Sequence, residues 1–274
     1  MSRSQDFTHL ILTRFNTAIG FAPSAKGLDE EWLEARLLLF ERYCLPSVAL
    51  QRGATFRWLV FCDAASPQWF KERMSSYGPL VSPLYIDGPA TDEVIARSVA
   101  ATGLVSSPYL ITTRLDNDDA IGKDHLRLVQ LEFKRQDREF LLFPFGLQFY
   151  RGRLYNCYWK SNPFLSLVER VKGEGLFTTV MCVEHNRVRT AGKVRSIISA
   201  PQWLQVIHGS NLLNTLRGWP RVSGRAPSAF SIPLPNEGAD TIATQLRYLA
   251  AVFFTRGRRL WDKIVKAVRR RSIK

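Results

Sequence analysis

The sequence predicts an α/β protein built on a mostly parallel sheet that is flanked by helices. Short apolar segments alternate with helical segments through the first half of the chain, which is typical of such a sheet. After residue 139 the apolar segments are closely spaced and aromatic, which indicates a mixed or antiparallel second half. We expect one large domain over residues 1–240 and a basic helical tail over residues 241–274.

Four short segments are the predicted strands of the parallel part. They are apolar, and mostly rich in β-branched and aromatic residues, as buried strands are. They cover residues 8–14, 57–62, 83–87 and 109–115.

Helix signals lie between and after these strands. Asp29 is the predicted N-cap of a helix that should end at Pro46, and Thr91 is the predicted N-cap of another. Ser66-Pro67 is expected to open a helix in the same region, with proline at the first helical position. A further helix is expected over residues 123–135.

The second half contains three aromatic strand candidates, at residues 140–145, 147–151 and 154–159. Gly146 and Gly152 separate them. Connections this short are typical of antiparallel hairpins, so the parallel half should continue directly into a mixed one.

Composition limits the classes of function. The formal net charge of +14 calls for an anionic partner: nucleic acid, anionic lipid or a phosphorylated substrate. Four cysteines without a CxxC pair indicate reduced thiols. No stretch approaches the length of a membrane span or a signal peptide, so we expect a cytoplasmic protein, soluble or peripheral.

The acidic cluster Asp116-Asn117-Asp118-Asp119 follows the fourth predicted strand. Ligands of open α/β sheets bind at the carboxyl ends of the strands, and paired carboxylates suit Mn²⁺ or Mg²⁺. Such an ion neutralises a diphosphate leaving group as a Lewis acid. The alternative is that Asp118 or Asp119 only caps the next helix.

The run YLITTRLDNDDAI, with HLILTRFN, RLLLFERYCLPSVALQ, FRWLVFCD and the later WLQVIHGSN, resembles the bacterial rhamnosyltransferase family. The resemblance extends from about His9 to Asn211. It implies a GT-A-like, Rossmann-like fold and a glycosyltransferase with a DXD motif. A dTDP- or UDP-sugar would be the donor, Mn²⁺ or Mg²⁺ the cofactor, and a glycan or lipid-linked molecule the acceptor.

The resemblance also implies roles for single residues. Asp118 would be the principal metal ligand, and Asp116 would bind the ribose or share the metal. Asp119 is the candidate catalytic residue that touches the metal shell or the donor sugar. His208 matches a late histidine ligand of the metal, although it could equally pack at a strand end.

Further candidates for the donor site are Arg14, Asp63 and Arg97. Arg14 and Asp63 end the first two strands, where an arginine can pair with diphosphate and a carboxylate with ribose or base. Arg97, on the helix before the fourth strand, could also face phosphate. The alternative is that they are ordinary solvated residues.

The catalytic base is expected to be a carboxylate near the acceptor hydroxyl. Glu184, beside His185, is the predicted base, and Glu169 and Glu174 are rivals.

From Thr255 onward, arginines and lysines alternate with apolar residues at helical spacing. Such a tail, with Trp261, can lie on an anionic membrane surface. The alternatives are a helix packed on the body of the protein and a nucleic-acid contact. A basic nucleic-acid-binding protein or metal-dependent nuclease is therefore the second hypothesis for function.

Overall fold

The computed structural model describes residues 6–18, 25–173, 176–208, 215–220, 229–230 and 232. Its main sheet has seven strands in the order β10-β6-β9-β4-β1-β2-β3. These strands are β1 (Phe7–Arg14), β2 (Arg57–Asp63), β3 (Ser82–Ile86), β4 (Tyr109–Arg114), β6 (Glu139–Leu142), β9 (Leu165–Arg170) and β10 (Lys193–Ser196).

The first four strands of this sheet run parallel, as the sequence predicts. Leu12 on β1 is in register with Leu59 on one side and with Arg114 on the other. Strand β9 was not predicted, and it runs antiparallel to both β4 and β6. The α/β class with a mostly parallel sheet is confirmed.

A second, smaller sheet has five strands in the order β12-β8-β7-β11-β5. They are β5 (Ala120–Ile121), β7 (Phe145–Tyr150), β8 (Arg153–Tyr158), β11 (Trp203–Ile207) and β12 (Trp219–Pro220). The predicted hairpin is confirmed in β7 and β8, which pair antiparallel from Phe145–Tyr158 to Tyr150–Arg153. β6 was expected beside β7 but belongs to the main sheet, because its apolar side chains are buried against β9 instead.

Six α-helices lie in the part of the chain that the structure describes: α1 (Glu30–Leu39), α2 (Leu45–Ala49), α3 (Gln68–Ser76), α4 (Asp92–Ala101), α5 (His125–Leu131) and α6 (Val188–Ala191). Two predicted caps are confirmed, since Asp29 accepts from the Trp32 amide and Thr91 from the Val94 amide. The expected opening of α3 is shifted by one residue, because Pro67 lies at the N-cap rather than at the first helical position.

The prediction that the first helix stops at Pro46 is wrong. A π-helical turn, Phe40–Cys44, joins α1 to α2, and Pro46 lies in the first turn of α2. A proline there lacks an amide hydrogen that would in any case have no partner in its own helix, so the chain continues helically to Ala49. The wider turn keeps Phe40, Tyr43 and Cys44 buried.

Alternate side chains of β1 enter two apolar clusters on opposite faces of the main sheet. Ile11 packs with Trp58 and Ile111 on the α1 and α3 face. Leu10 and Leu12 pack on the α4 face. Helices on both faces therefore fix the strand ends that carry the acidic cluster.

Cys44, Cys62, Cys157 and Cys182 are free thiols, as expected. In the part of the chain that the structure describes, no helix is long and apolar enough to span a bilayer. The predicted basic tail over residues 241–274 lies outside the described residues.

Candidate active site

The acidic cluster lies where β1, β2 and β4 end at one edge of the main sheet. Leu115 continues β4 by donating its amide to Leu12, and the Phe15 amide donates to Phe61. The Asn117 side chain donates to the Phe15 carbonyl at 2.8 Å. Asn117 therefore ties the acidic turn to the end of β1, and its role is to position its neighbours.

Asp118 is the point at which three distant parts of the chain meet. Its Oδ2 accepts from Nη1 of Arg36, on α1, at 2.6 Å. The same oxygen lies 2.9 Å from Nε2 of His208, just after β11. All three side chains are largely buried, at 13% exposure or less for Arg36 and Asp118 and 17% for His208. A buried carboxylate needs such partners, because leaving water costs a charge heavily.

Asp116 has a different environment. Arg114, two residues earlier, donates hydrogen bonds to both carboxylate oxygens of Asp116, at 3.0 and 3.1 Å. Burial raises the pKa of the Asp116 carboxyl, but Arg114 and Arg14 outweigh burial and hold that pKa below its usual value. Arg114 was not among the predicted site residues, yet it is the main partner of Asp116.

Arg14 lies beside this pair. Burial lowers the pKa of its guanidinium, and Arg114 lowers it further, while Asp116 and Glu184 act in the opposite direction. Arg14 and Arg114 thus form a cationic rim at the end of β1 and β4. Such a rim suits an anionic ligand.

Asp119 is buried, and its Oδ1 accepts from the Val206 amide at 2.8 Å. Burial, with Asp118 and Asp116 close by, raises the pKa of Asp119 well above its usual range. Its contact with Val206 joins the acidic turn to β11 of the second sheet. The described contact of Asp119 is therefore structural.

Asp118 and His208 fit as two ligands of a divalent ion. Two neighbouring ligands of an octahedral ion, each about 2.0–2.1 Å from it, lie about 3 Å apart, which is the separation of Oδ2 and Nε2 here. Within the described residues no group of three histidine, cysteine, aspartate or glutamate side chains is arranged to hold a metal. Asp116 was predicted as a metal ligand too, but its oxygens face Arg114.

The other predicted donor-site residues are placed unequally. Asp63 ends β2 at the same sheet edge, where its side chain accepts from the Ala65 amide at 2.8 Å and its own amide donates to Asn16. Arg97 is exposed on α4, near Glu93. Among the described residues it makes no hydrogen bond or ion pair with the acidic cluster.

Glu184 is exposed and lies close enough to Arg14 and Arg114 to favour their charged forms. His185 beside it is half-buried, and its ring meets that of Trp159 edge-on, with centroids 5.2 Å apart. Its rival Glu169 is buried and accepts from the amides of Thr178 and Thr179. Glu169 is thus a structural clamp, and Glu174 lies outside the described residues.

Arg36 is a site residue that no sequence pattern distinguishes. It lies 82 positions from Asp118 and occupies an otherwise ordinary amphipathic helix. Its one local mark is the guanidinium stacked 5.1 Å from the Trp32 ring centroid. Asn16 was missed as well, although its amide bridges the Gly27 carbonyl and the Ser66 hydroxyl.

The family model described as "Putative rhamnosyl transferase" matches residues 21–218, which is more than half of the chain. The chain belongs to this rhamnosyl transferase family. The family assignment made from the acidic motif and its flanking blocks is confirmed. Among curated proteins, none matches the sequence.

Several solved structures are similar to this chain at low identity, with TM-scores below 0.5. Staphylococcus aureus TarS 1–349 has 8% identity and a TM-score of 0.43, over 73% of this chain and 60% of that one. The same protein with UDP-GlcNAc has 12% identity and a TM-score of 0.45, over 75% and 59%. A nucleotide-diphospho-sugar transferase from Desulfovibrio desulfuricans G20 has 13% identity and a TM-score of 0.36, over 72% and 81%. This chain thus spans about 60% of the TarS chain that it matches.

Proposed function

We propose that this glycosyltransferase is metal-dependent and takes its sugar from a nucleotide-sugar bound at the edge formed by β1, β2 and β4. One observation carries the proposal: Asp118 and His208, 90 positions apart, meet at 2.9 Å in a largely buried position. A buried contact between a carboxylate and a histidine adds little to the stability of a protein, because both groups lose their hydration. A functional role for the contact is therefore favoured.

Asp118 and His208 would hold Mn²⁺ or Mg²⁺, and Asp116 is a further carboxylate of the motif. When bound, the ion would neutralise the charge that develops on the nucleoside diphosphate as it leaves. Magnesium in particular is held by one or two carboxylates together with substrate phosphates, so two protein ligands suffice.

The remaining residues of the site would bind and orient the donor. Arg14 and Arg114 offer cations to the diphosphate, and Arg36, which donates to Asp118, offers a third. Asp63, at the end of β2, would accept from the ribose or base. Glu184 is the proposed base, because it is the exposed carboxylate beside this cationic rim.

The finer identity of the reaction rests on the family. L-Rhamnose is the first donor sugar to try, supplied as a dTDP- or UDP-sugar, and a cell-surface or lipid-linked glycan is the acceptor class. The solved TarS structure with UDP-GlcNAc supports including UDP in any test. Contact of the basic tail with an anionic membrane at the cytoplasmic face stays a prediction from charge pattern.

The deciding experiment measures the thermal midpoint with UDP, dTDP or GDP, each with and without Mn²⁺, for wild type and Asp118→Ala. A ligand that binds the native state raises the midpoint according to its affinity. We expect a metal-dependent rise with one nucleotide that is lost in Asp118→Ala. Asp124→Ala is the matched control, since Asp124 pairs with Arg127 away from the site.

Two results would overturn the proposal. The first is a nucleotide shift that is equal with and without Mn²⁺ and unaffected by Asp118→Ala. The second is the absence of any nucleotide shift together with stabilisation by RNA or DNA, which would favour the nucleic-acid hypothesis.

A further inference from the structure

A groove of about 560 Å³ lies between α1 and α3, away from the acidic cluster. Its apolar lining is Leu37, Leu38 and Trp69, and Leu38 is 68% exposed. An exposed leucine beside a half-buried tryptophan on a helix pair is a surface that gains from being covered.

The groove is lined mainly by acidic side chains, although the protein as a whole is strongly basic. Glu34, Glu41 and Glu72 line it, against the single cation Arg73. Glu41 is already satisfied, because Arg73 and the Tyr77 hydroxyl both donate to it. Glu34 makes no ion pair with any residue that the structure describes, and Glu72 accepts only from the neutral Gln68 within that part of the chain. Two carboxylates therefore remain for cations from elsewhere.

The last described residues of the chain leave the fold next to the same helix. Phe230 and Ile232 are buried in a cluster with Tyr43, and Leu39 packs against that cluster. At about 100° per residue, Leu39 lies about 100° around α1 from Leu38 and about 140° from Glu34, so a continuing chain has to pass around part of a helix about 10–12 Å wide. Twenty-five residues separate Ile232 from Arg258, and each can span about 3.3 Å, so the groove is within reach.

The segment that follows has the matching chemistry. Between residues 255 and 274 the sequence holds nine lysines and arginines against one aspartate. Leu260, Trp261, Ile264 and Val268 lie between the cations, so one segment offers both apolar side chains and positive charge.

We propose that the groove between α1 and α3 is the docking site for the basic segment 255–274 of the same chain. The apolar residues of the segment would cover Leu38 and Trp69, and its cations would pair with Glu34 and Glu72. The segment would then lie against the helix that supplies Arg36 to Asp118. This proposal does not depend on the reaction that the site performs.

Zero-length carbodiimide cross-linking of the full chain tests it, because the reagent joins carboxylates to lysines in contact. We expect linked peptides that join Glu34 or Glu72 to Lys263 or Lys266. An equal mixture with isotope-labelled protein should give only unmixed links, since the contact is within one chain. Mixed links would place the segment on a second copy and overturn the proposal.

The variant Glu34→Gln/Glu72→Gln gives a second readout that creates no new trypsin site. We expect trypsin to cleave the segment about fivefold faster in this variant, the size expected from losing two exposed ion pairs. Asp92→Asn/Glu93→Gln on α4 is the matched control and should cleave at the wild-type rate. Two results together would overturn groove docking in favour of membrane contact. They are equal cleavage of wild type and both variants by trypsin, and protection of Lys263 and Lys266 from trypsin only when anionic lipid vesicles are present.

Discussion

Asp116 and Asp118, the two aspartates of the DXD motif, are separated by one residue and yet have different kinds of partners. Asp116 is paired by Arg114, a neighbour on the same strand, and keeps 34% of its side chain exposed. Asp118 is 8% exposed and is met by Arg36 and His208, from the first and last thirds of the chain. The Arg114–Asp116 pair is local and forms wherever the strand forms. The contacts of Asp118 with Arg36 and His208 are convergent, because they require the whole fold, and we place the chemistry at this convergent side.

The largest effect should come from neutralising the convergent side. Asp118→Asn is expected to slow release of nucleoside diphosphate from the donor by about 10²–10³-fold, because the proposed ion that would neutralise the leaving group loses its charged ligand. Asp116→Asn should slow it by only about tenfold, since Arg114 already offsets that charge. Equal losses in the two variants would contradict the comparison.

Breaking the local side should cost stability. Arg114→Met leaves Asp116 without its partner and next to Asp118 and Asp119, and we expect a loss of about 2–3 kcal/mol in the free energy of unfolding by urea. This loss should be smaller than for a fully buried ion pair, because the Asp116 side chain is one third exposed. Adding Asp116→Asn should restore most of the loss, and no recovery in this double variant would show that Arg114 acts through another contact.

Asp119 tests whether the acidic turn is held by the second sheet. Asp119→Ala removes the acceptor of the buried Val206 amide, so unfolding free energy should fall by about 2 kcal/mol. Asp119→Asn keeps an acceptor oxygen at the same place and should cost less. If asparagine is as harmful as alanine, the charge of Asp119 rather than its hydrogen bond supports the fold.

The smallest expected effect is on metal affinity. His208→Gln should raise the Mn²⁺ concentration needed for half of the nucleotide-induced thermal shift by about tenfold, while the metal-free midpoint changes little. Asp124→Asn is the control, because Asp124 pairs with Arg127 away from the site. An unchanged Mn²⁺ titration in His208→Gln would leave the metal to the carboxylates alone.

Much of the parallel half could be predicted from the sequence, because its strands are short apolar runs and its helices carry Asp29 and Thr91 as caps. The placement of β6 could not, since its apolar residues fit either sheet and long-range pairing decides between them.

The candidate site follows the same division. Asp116, Asp118 and Asp119 were visible as a cluster after β4, and His208 was identified through the family resemblance. Arg36 and Arg114 were not, because a guanidinium on a helix or strand has no pattern that distinguishes a buried partner from a solvated one. Their roles appear only when the tertiary contacts are known.

The meeting of Arg36, Asp118 and His208 has a consequence for biosynthesis. A ribosome delivers Arg36 and Asp118 long before His208, at about 5–20 residues per second. Until the Val206 amide of β11 donates to Asp119, the acidic turn of the nascent chain lacks the contact between His208 and Asp118. Contacts of such large sequence separation form slowly. Under the proposed function, the newly made protein should therefore acquire its metal only at the end of folding, after release of most of the chain.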